Sequence, residues 1–136
     1  MSFGGLNAVG VVMAAIAAFL WSAVYYALLA KAWQREAGFG PLATPKPGPG
    51  LTVTSFVALF VMAWVLAGAV GHLGVGQVTV RNGIVTGLFL WAGFVVSTLA
   101  FSHRRQNLSW RLTAIDAGHW LGALILMGLT IGGVGV

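Results

Sequence analysis

Polar residues gather in short stretches of this chain, and long apolar runs fill the space between them. The runs cover about residues 6–30, 51–71, 83–101 and 112–136. Each is close to the ~20 residues that a helix needs to cross ~30 Å of hydrocarbon. None alternates polar and apolar positions, as a barrel strand would over about 10 residues. A helix satisfies its own backbone hydrogen bonds, which lipid demands of any spanning segment. The pattern therefore predicts an all-α fold, a four-transmembrane-helix bundle, forming a single integral membrane domain over residues 1–136. The first run is longer than a signal-peptide core and has its positive charge after it, so it reads as a retained span.

The connections differ in character. Residues 31–50 form a Pro/Gly-rich linker in which Pro41, Pro45, Pro47 and Pro49 accompany Gly48 and Gly50. Such a stretch does not continue a helix and favours extended backbone. A short glycine-containing loop, His72 to Asn82, joins the second and third runs, and a basic, polar one, Ser102 to Arg111, joins the third and fourth.

Charge then sets orientation. Lys31, Arg35 and Lys46 fall in the first linker and Arg104, Arg105 and Arg111 in the third, leaving only Arg81 of the seven basic residues on the opposite side. The positive-inside rule makes the basic side cytoplasmic and puts the N- and C-termini on the non-cytoplasmic side. Those six basic residues are expected to meet anionic lipid head groups. The net charge of +5 is thus no sign of a nucleic-acid partner. Tyr25, Tyr26, Trp33 and Trp110 fall where an interfacial aromatic belt would lie. Only 7% of residues are charged, against about 25% in soluble domains. With no cysteine, disulfides and thiolate chemistry are excluded.

The candidate chemistry centres on Asp116 and His119, three residues apart at the head of the fourth run. That spacing places both on one helix face, and ionisable groups in a span are functional candidates by default. In the functional version Asp116 orients His119 as a proton-handling pair, with Trp91 and Thr86 lining a cavity. The structural version makes Thr113 a helix cap with Asp116 at the third helical position, a capping box. A metal site would draw on His103, Asp116 and His119, although none of their spacings is an established ligand motif. Trp64 and Trp91 lie well inside their runs, and Thr86, Ser97 or Thr98 would accept from the Trp91 indole. Three GxxxG pairs, Gly83/Gly87, Gly118/Gly122 and Gly128/Gly132, are candidates for close helix contact, within a protomer or between protomers. No nucleophile elbow, phosphate loop or dinucleotide fingerprint is present.

The segments Leu90-Trp91-Ala92-Gly93-Phe94, Ser97-Thr98 and Ile115-Asp116-Ala117-Gly118-His119 resemble a bacterial membrane family catalogued as domain of unknown function 1761. Tyr25 to Trp33 resembles the end of that family's first span, and the likeness runs over nearly the whole chain. The family often has Asn where Asp116 stands, and Trp-Tyr-like and Gly-Pro pairs where this chain has Val24-Tyr25 and Tyr26-Ala27. An Asn would hydrogen-bond there but not titrate. The resemblance implies four spans in a bacterial inner membrane and carries no activity with it.

The expected function is that of a non-enzymatic helix-packing protein, either a homo-oligomer or an accessory subunit of a membrane complex, with lipid as its surroundings and no cofactor. A small transporter or proton pathway using Asp116 and His119 is the alternative. A metal-dependent membrane enzyme is the third possibility.

Overall fold

A computed structural model describes residues 2–3, 6–38 and 48–135. Lys46, Pro41, Pro45 and Pro47 of the first linker lie outside the described residues. Among the described residues, four helices are long and apolar enough to cross a membrane: Ala8–Leu28, Pro49–Gly71, Val80–Arg105 and Trp110–Val134. Each begins at a residue suited to starting a helix. The Asn7 side chain accepts from the Val9 and Gly10 amides to cap α1 (Ala8–Leu28). Pro49 opens α3 (Pro49–Gly71), at a position where a missing N–H costs nothing. Thr79 caps the third span and Ser109 caps α6 (Trp110–Val134) by accepting from the Asn82 and Leu112 amides. Before α1, β1 (Ser2–Phe3) and β2 (Leu6–Asn7) form a short antiparallel pair.

The observed helices shift several expected boundaries. The first span stops at Leu28, and after a turn at Leu29 the chain re-enters a helix, α2 (Ala30–Ala37). Residues 31–37, read as linker, are therefore helical, until Gly38 ends α2 in the left-handed conformation at φ 79°. The third span runs past Phe101 to Arg105, with His103, Arg104 and Arg105 in its last turn, where cations complement the helix C-terminus. It has three parts: α4 (Val80–Leu90), a π-helical segment (Trp91–Val96) and α5 (Ser97–Arg105).

The fourth helix occupies the centre. It packs along both α1 and α4, α1 also packs on α3, and α3 meets α4 more sparingly. The core is made by Val11, Ala14, Ala15 and Ala18 of α1, Leu59, Ala63, Leu66 and Val70 of α3, and Leu124, Met127 and Ile131 of α6. On α1 these fall at the three- and four-residue intervals that line one helix face. Trp64, read as interior, is 50% exposed, because the inward face of α3 is set by Leu59, Ala63 and Leu66.

The six GxxxG glycines sit inside the bundle. A Cβ on Gly83 would meet the Gly128 backbone, and one on Gly132 would meet the Thr79 backbone. One on Gly87 would reach the Leu124 carbonyl oxygen at 3.0 Å. On the other side of α6, a Cβ on Gly118 would meet the Tyr25 hydroxyl, and one on Gly122 the Trp21 ring. These glycines let α4 approach α6 to backbone distance on one side and make room for the Tyr25 and Trp21 side chains of α1 on the other.

Candidate functional site

The polar side chains of the bundle collect where α1 ends, α2 lies and α6 begins. Asp116 is their meeting point. Its Oδ1 accepts from the Tyr26 hydroxyl at 2.7 Å and from the Trp33 indole at 3.2 Å. Its Oδ2 faces His103 Nε2 at 3.6 Å. One carboxylate thus joins α1, α2, α5 and α6.

A second layer lies toward the helix end. His103 is buried, and its Nδ1 is 2.9 Å from Thr113 Oγ1. Arg104 donates through Nη2 to Thr113 Oγ1 and to the carbonyls of Leu108 and Ser109. Its guanidinium also lies 3.7 Å from the centre of the Trp110 ring, in cation–π contact. With Arg104 donating to Thr113, the threonine proton has two acceptors in reach, His103 Nδ1 at 2.9 Å and the Ser109 carbonyl at 3.3 Å. The shorter leaves His103 Nε2 as the N–H that faces Asp116. Ser109 caps α6 and donates its hydroxyl to Glu36 Oε2 at 2.8 Å, tying α2 down a second time.

One turn deeper than Asp116, His119 is 4% exposed. Its Nε2 is 2.6 Å from Ser22 Oγ, which also donates to the Ala18 carbonyl at 2.8 Å. Its ring packs against Tyr25, Tyr26 and Trp120. His119 Nδ1 is buried without a hydrogen-bond partner among the described residues. Around it, three side chains donate to α6 carbonyls: Tyr25 to Ile115, Trp91 to Ala117 and Trp21 to His119, at 2.7, 2.8 and 2.9 Å. Trp21 and Tyr25 are one turn apart on α1, as Ile115 and His119 are on α6. Gly118 and Gly122 leave the room these two rings occupy.

Several expectations change against this geometry. Thr113 is not a cap and Asp116 is not in a first turn, because Ser109 starts the helix four residues earlier. Asp116 and His119 share a face but not a bond: Asp116 holds Tyr26, Trp33 and His103, and His119 holds Ser22. The Trp91 indole bonds the Ala117 carbonyl rather than Thr86, Ser97 or Thr98. Thr86 is half-buried on α4 and joins none of the hydrogen bonds at this end among the described residues. His103 and Asp116 converge while His119 is turned to Ser22, and among the described residues no group of three His, Asp or Glu side chains is placed to hold a metal. Tyr25, Tyr26 and Trp33, assigned to an interfacial belt, donate inside the protein instead.

The basic residues divide likewise. Arg104 is committed to the loop and to Trp110. Arg35 and Arg111 lie 3.7 and 3.9 Å from Glu36 with largely exposed side chains, which makes them weak ion pairs. Lys31 and Arg105 are exposed. Sequence reasoning gave no contact to Trp21 or Glu36 and placed Tyr26 only in the interfacial belt. Trp21, Ser22, Tyr25 and Tyr26 repeat at one-turn spacing, and that stripe of polar tips on an apolar helix was the available signal.

The family model for a protein of unknown function, DUF1761, matches residues 9–132. The chain belongs to this family. No curated protein and no solved structure matches it.

Proposed function

We propose that this protein is a non-enzymatic, multi-pass protein of a bacterial inner membrane that offers its third span to another membrane helix, as an accessory subunit or a second copy. The observation that carries this reading is the uneven burial of the spans. Only 6% of the apolar window of Val80–Arg105 is buried, against 28%, 28% and 39% for the other three. Its outer side carries Val85 and Phe89, exposed, and Gly93, around which an added Cβ would meet nothing within 4 Å. A glycine facing outward in a span permits the close approach of another backbone. The polar groups support the same reading, because most of their donors and acceptors are spent in holding the bundle together. The basic end faces the cytoplasm in this proposal, and both termini lie outside.

The chain has no cysteine, so single cysteines are clean probes. Phe89→Cys should cross-link in native membranes, to a second copy or to one constant partner, whereas Val12→Cys on the exposed face of α1 should not. Equal, weak cross-linking at both positions would count against the reading.

One observation favours a second function. Among the described residues His119 Nδ1 is a buried nitrogen without a partner, which suits a proton or ligand role at the bottom of the polar cluster. Proteoliposome flux lost in both Asp116→Asn and His119→Ala would support that role. Flux absent, or unchanged by both, would dismiss it.

A further inference from the structure

Between α3 and the π-helical segment lies an open groove of about 390 Å³, lined by Ala58, Val61, Met62, Leu90, Phe94 and Leu124 among others. We propose that this groove holds an acyl chain of an anionic phospholipid whose phosphate is bound by Arg105. The site is separate from the outer face assigned to a partner helix and does not depend on it.

Charge and geometry argue for this occupant. Phe94, Thr98, Phe101 and Arg105 follow at spacings of four, three and four, so they share one helix face. All four are exposed, and Phe94 forms a wall of the groove. The Arg105 guanidinium lies 5.8 Å from the centre of the Phe101 ring, at the outer end of that face. Phe94 and Arg105 are 11 residues apart, about 16 Å along the helix at 1.5 Å per residue. That is about half of a ~30 Å hydrocarbon core, the depth from the edge of the hydrocarbon to the middle of the bilayer. A lipid with its head group at Arg105 therefore brings its chain into the groove. The two acidic residues, Asp116 and Glu36, are both engaged elsewhere, so the cations at this end are matched by a negatively charged head group.

The groove also suits a chain better than a helix. Its walls are chiefly branched or long side chains. The tight contacts within the bundle use glycine instead.

The test is lipid retention by the full chain in mild detergent, read by native mass spectrometry with phosphatidylglycerol and phosphatidylcholine of identical chains. The native protein should retain one phosphatidylglycerol in preference to phosphatidylcholine. Arg105→Gln should lower that preference about fivefold, the effect of one basic residue near an anionic surface. Arg81→Gln, exposed at the opposite end of the same span, should leave it unchanged. Ala58→Phe should lower retention of both lipids by filling the groove, and Val61→Phe does the same from the neighbouring turn if Ala58→Phe misfolds. Retention unchanged by both groove variants, or a preference unchanged by Arg105→Gln, overturns the proposal. Efficient disulfide dimerisation of Val61→Cys assigns the groove to a second copy and also overturns it.

Discussion

Gly128→Ala tests the packing on which the whole bundle depends. The added Cβ would lie 2.5 Å from the Gly83 carbonyl carbon and 2.9 Å from the Ile84 nitrogen, and closer still to the Gly83 oxygen. Non-bonded carbons prefer about 3.5–4.0 Å, so α4 and α6 must separate by about 1 Å. Both obstacles are backbone, and neither has a rotamer to change. A gap of that size forfeits up to about half of each contact along the line that also holds Gly87 against Leu124 and Gly132 against Thr79. Overpacking of this kind costs about 1–3 kcal/mol, and rigid backbone on the far side places it at the upper end. Alanine returns up to about 1 kcal/mol through helix propensity, which leaves a net loss of about 2 kcal/mol.

Two other glycines calibrate the result. Gly87→Ala meets the Leu124 oxygen at 3.0 Å and other atoms only from 3.5 Å, so its cost and its propensity gain should nearly cancel. Gly93→Ala meets nothing within 4 Å and should be neutral or slightly stabilising. Reversible unfolding in mixed detergent–SDS micelles would read these differences, and 2 kcal/mol is about a 30-fold change in equilibrium constant. If Gly128→Ala and Gly93→Ala unfold at the same SDS fraction, α4 and α6 do not meet along this line and the packing argument fails.

Asp116→Ala should remove the acceptor used by Tyr26 and Trp33 and the carboxylate that faces His103, and cost about 2 kcal/mol, at about 1 kcal/mol for each of the two lost hydrogen bonds. Asp116→Asn keeps an oxygen for Tyr26 and Trp33 and should cost about 1 kcal/mol. The same SDS titration distinguishes them, and an Asn variant as damaged as the Ala variant would mean that charge rather than acceptor capacity matters. Ser109→Ala should lose the α6 cap, about 1 kcal/mol. Ser109→Asp should do no better in thermal unfolding, although Asp is a good cap, because it sets a carboxylate against Glu36. A fully stable Asp variant would show that the Glu36 contact is unimportant.

The four spans were legible because length and hydropathy alone determine them. The starting point of α6 was not. Thr113 and Asp116 match a capping box locally, and Ser109 matches a cap without the acidic partner. What favours Ser109 lies elsewhere: Arg104 gathers the Leu108 and Ser109 carbonyls, Asn107 turns at φ 60°, and Glu36 receives the Ser109 hydroxyl. The same reason hid the real partners of Asp116. Tyr26 and Trp33 come from 90 and 83 residues away, whereas a spacing argument sees only residues on the same helix. The glycine pairs were visible as motifs, but their partners depended on which helices become neighbours.

The least legible feature is the π-helical segment, and it governs both the polar cluster and the groove. Trp91 and His103 both face α6, through Ala117 and through Thr113 with Asp116. They are 12 residues apart, so in a regular helix at about 100° per residue they would point about 120° apart. A π turn absorbs one extra residue, which leaves 11 steps of about 100° and brings the two within about 20°. The Ser97 hydroxyl donates to the Gly93 carbonyl at 2.6 Å, so a side chain meets a backbone acceptor inside the distorted turn. The adjustment that sends Trp91 and His103 inward leaves Phe94 outward, where it walls the groove. The third span can then touch α6 through glycine at one end and through His103 and Arg104 at the other. Its middle stands away from α3, which makes the lateral opening a consequence of the register that the polar end requires.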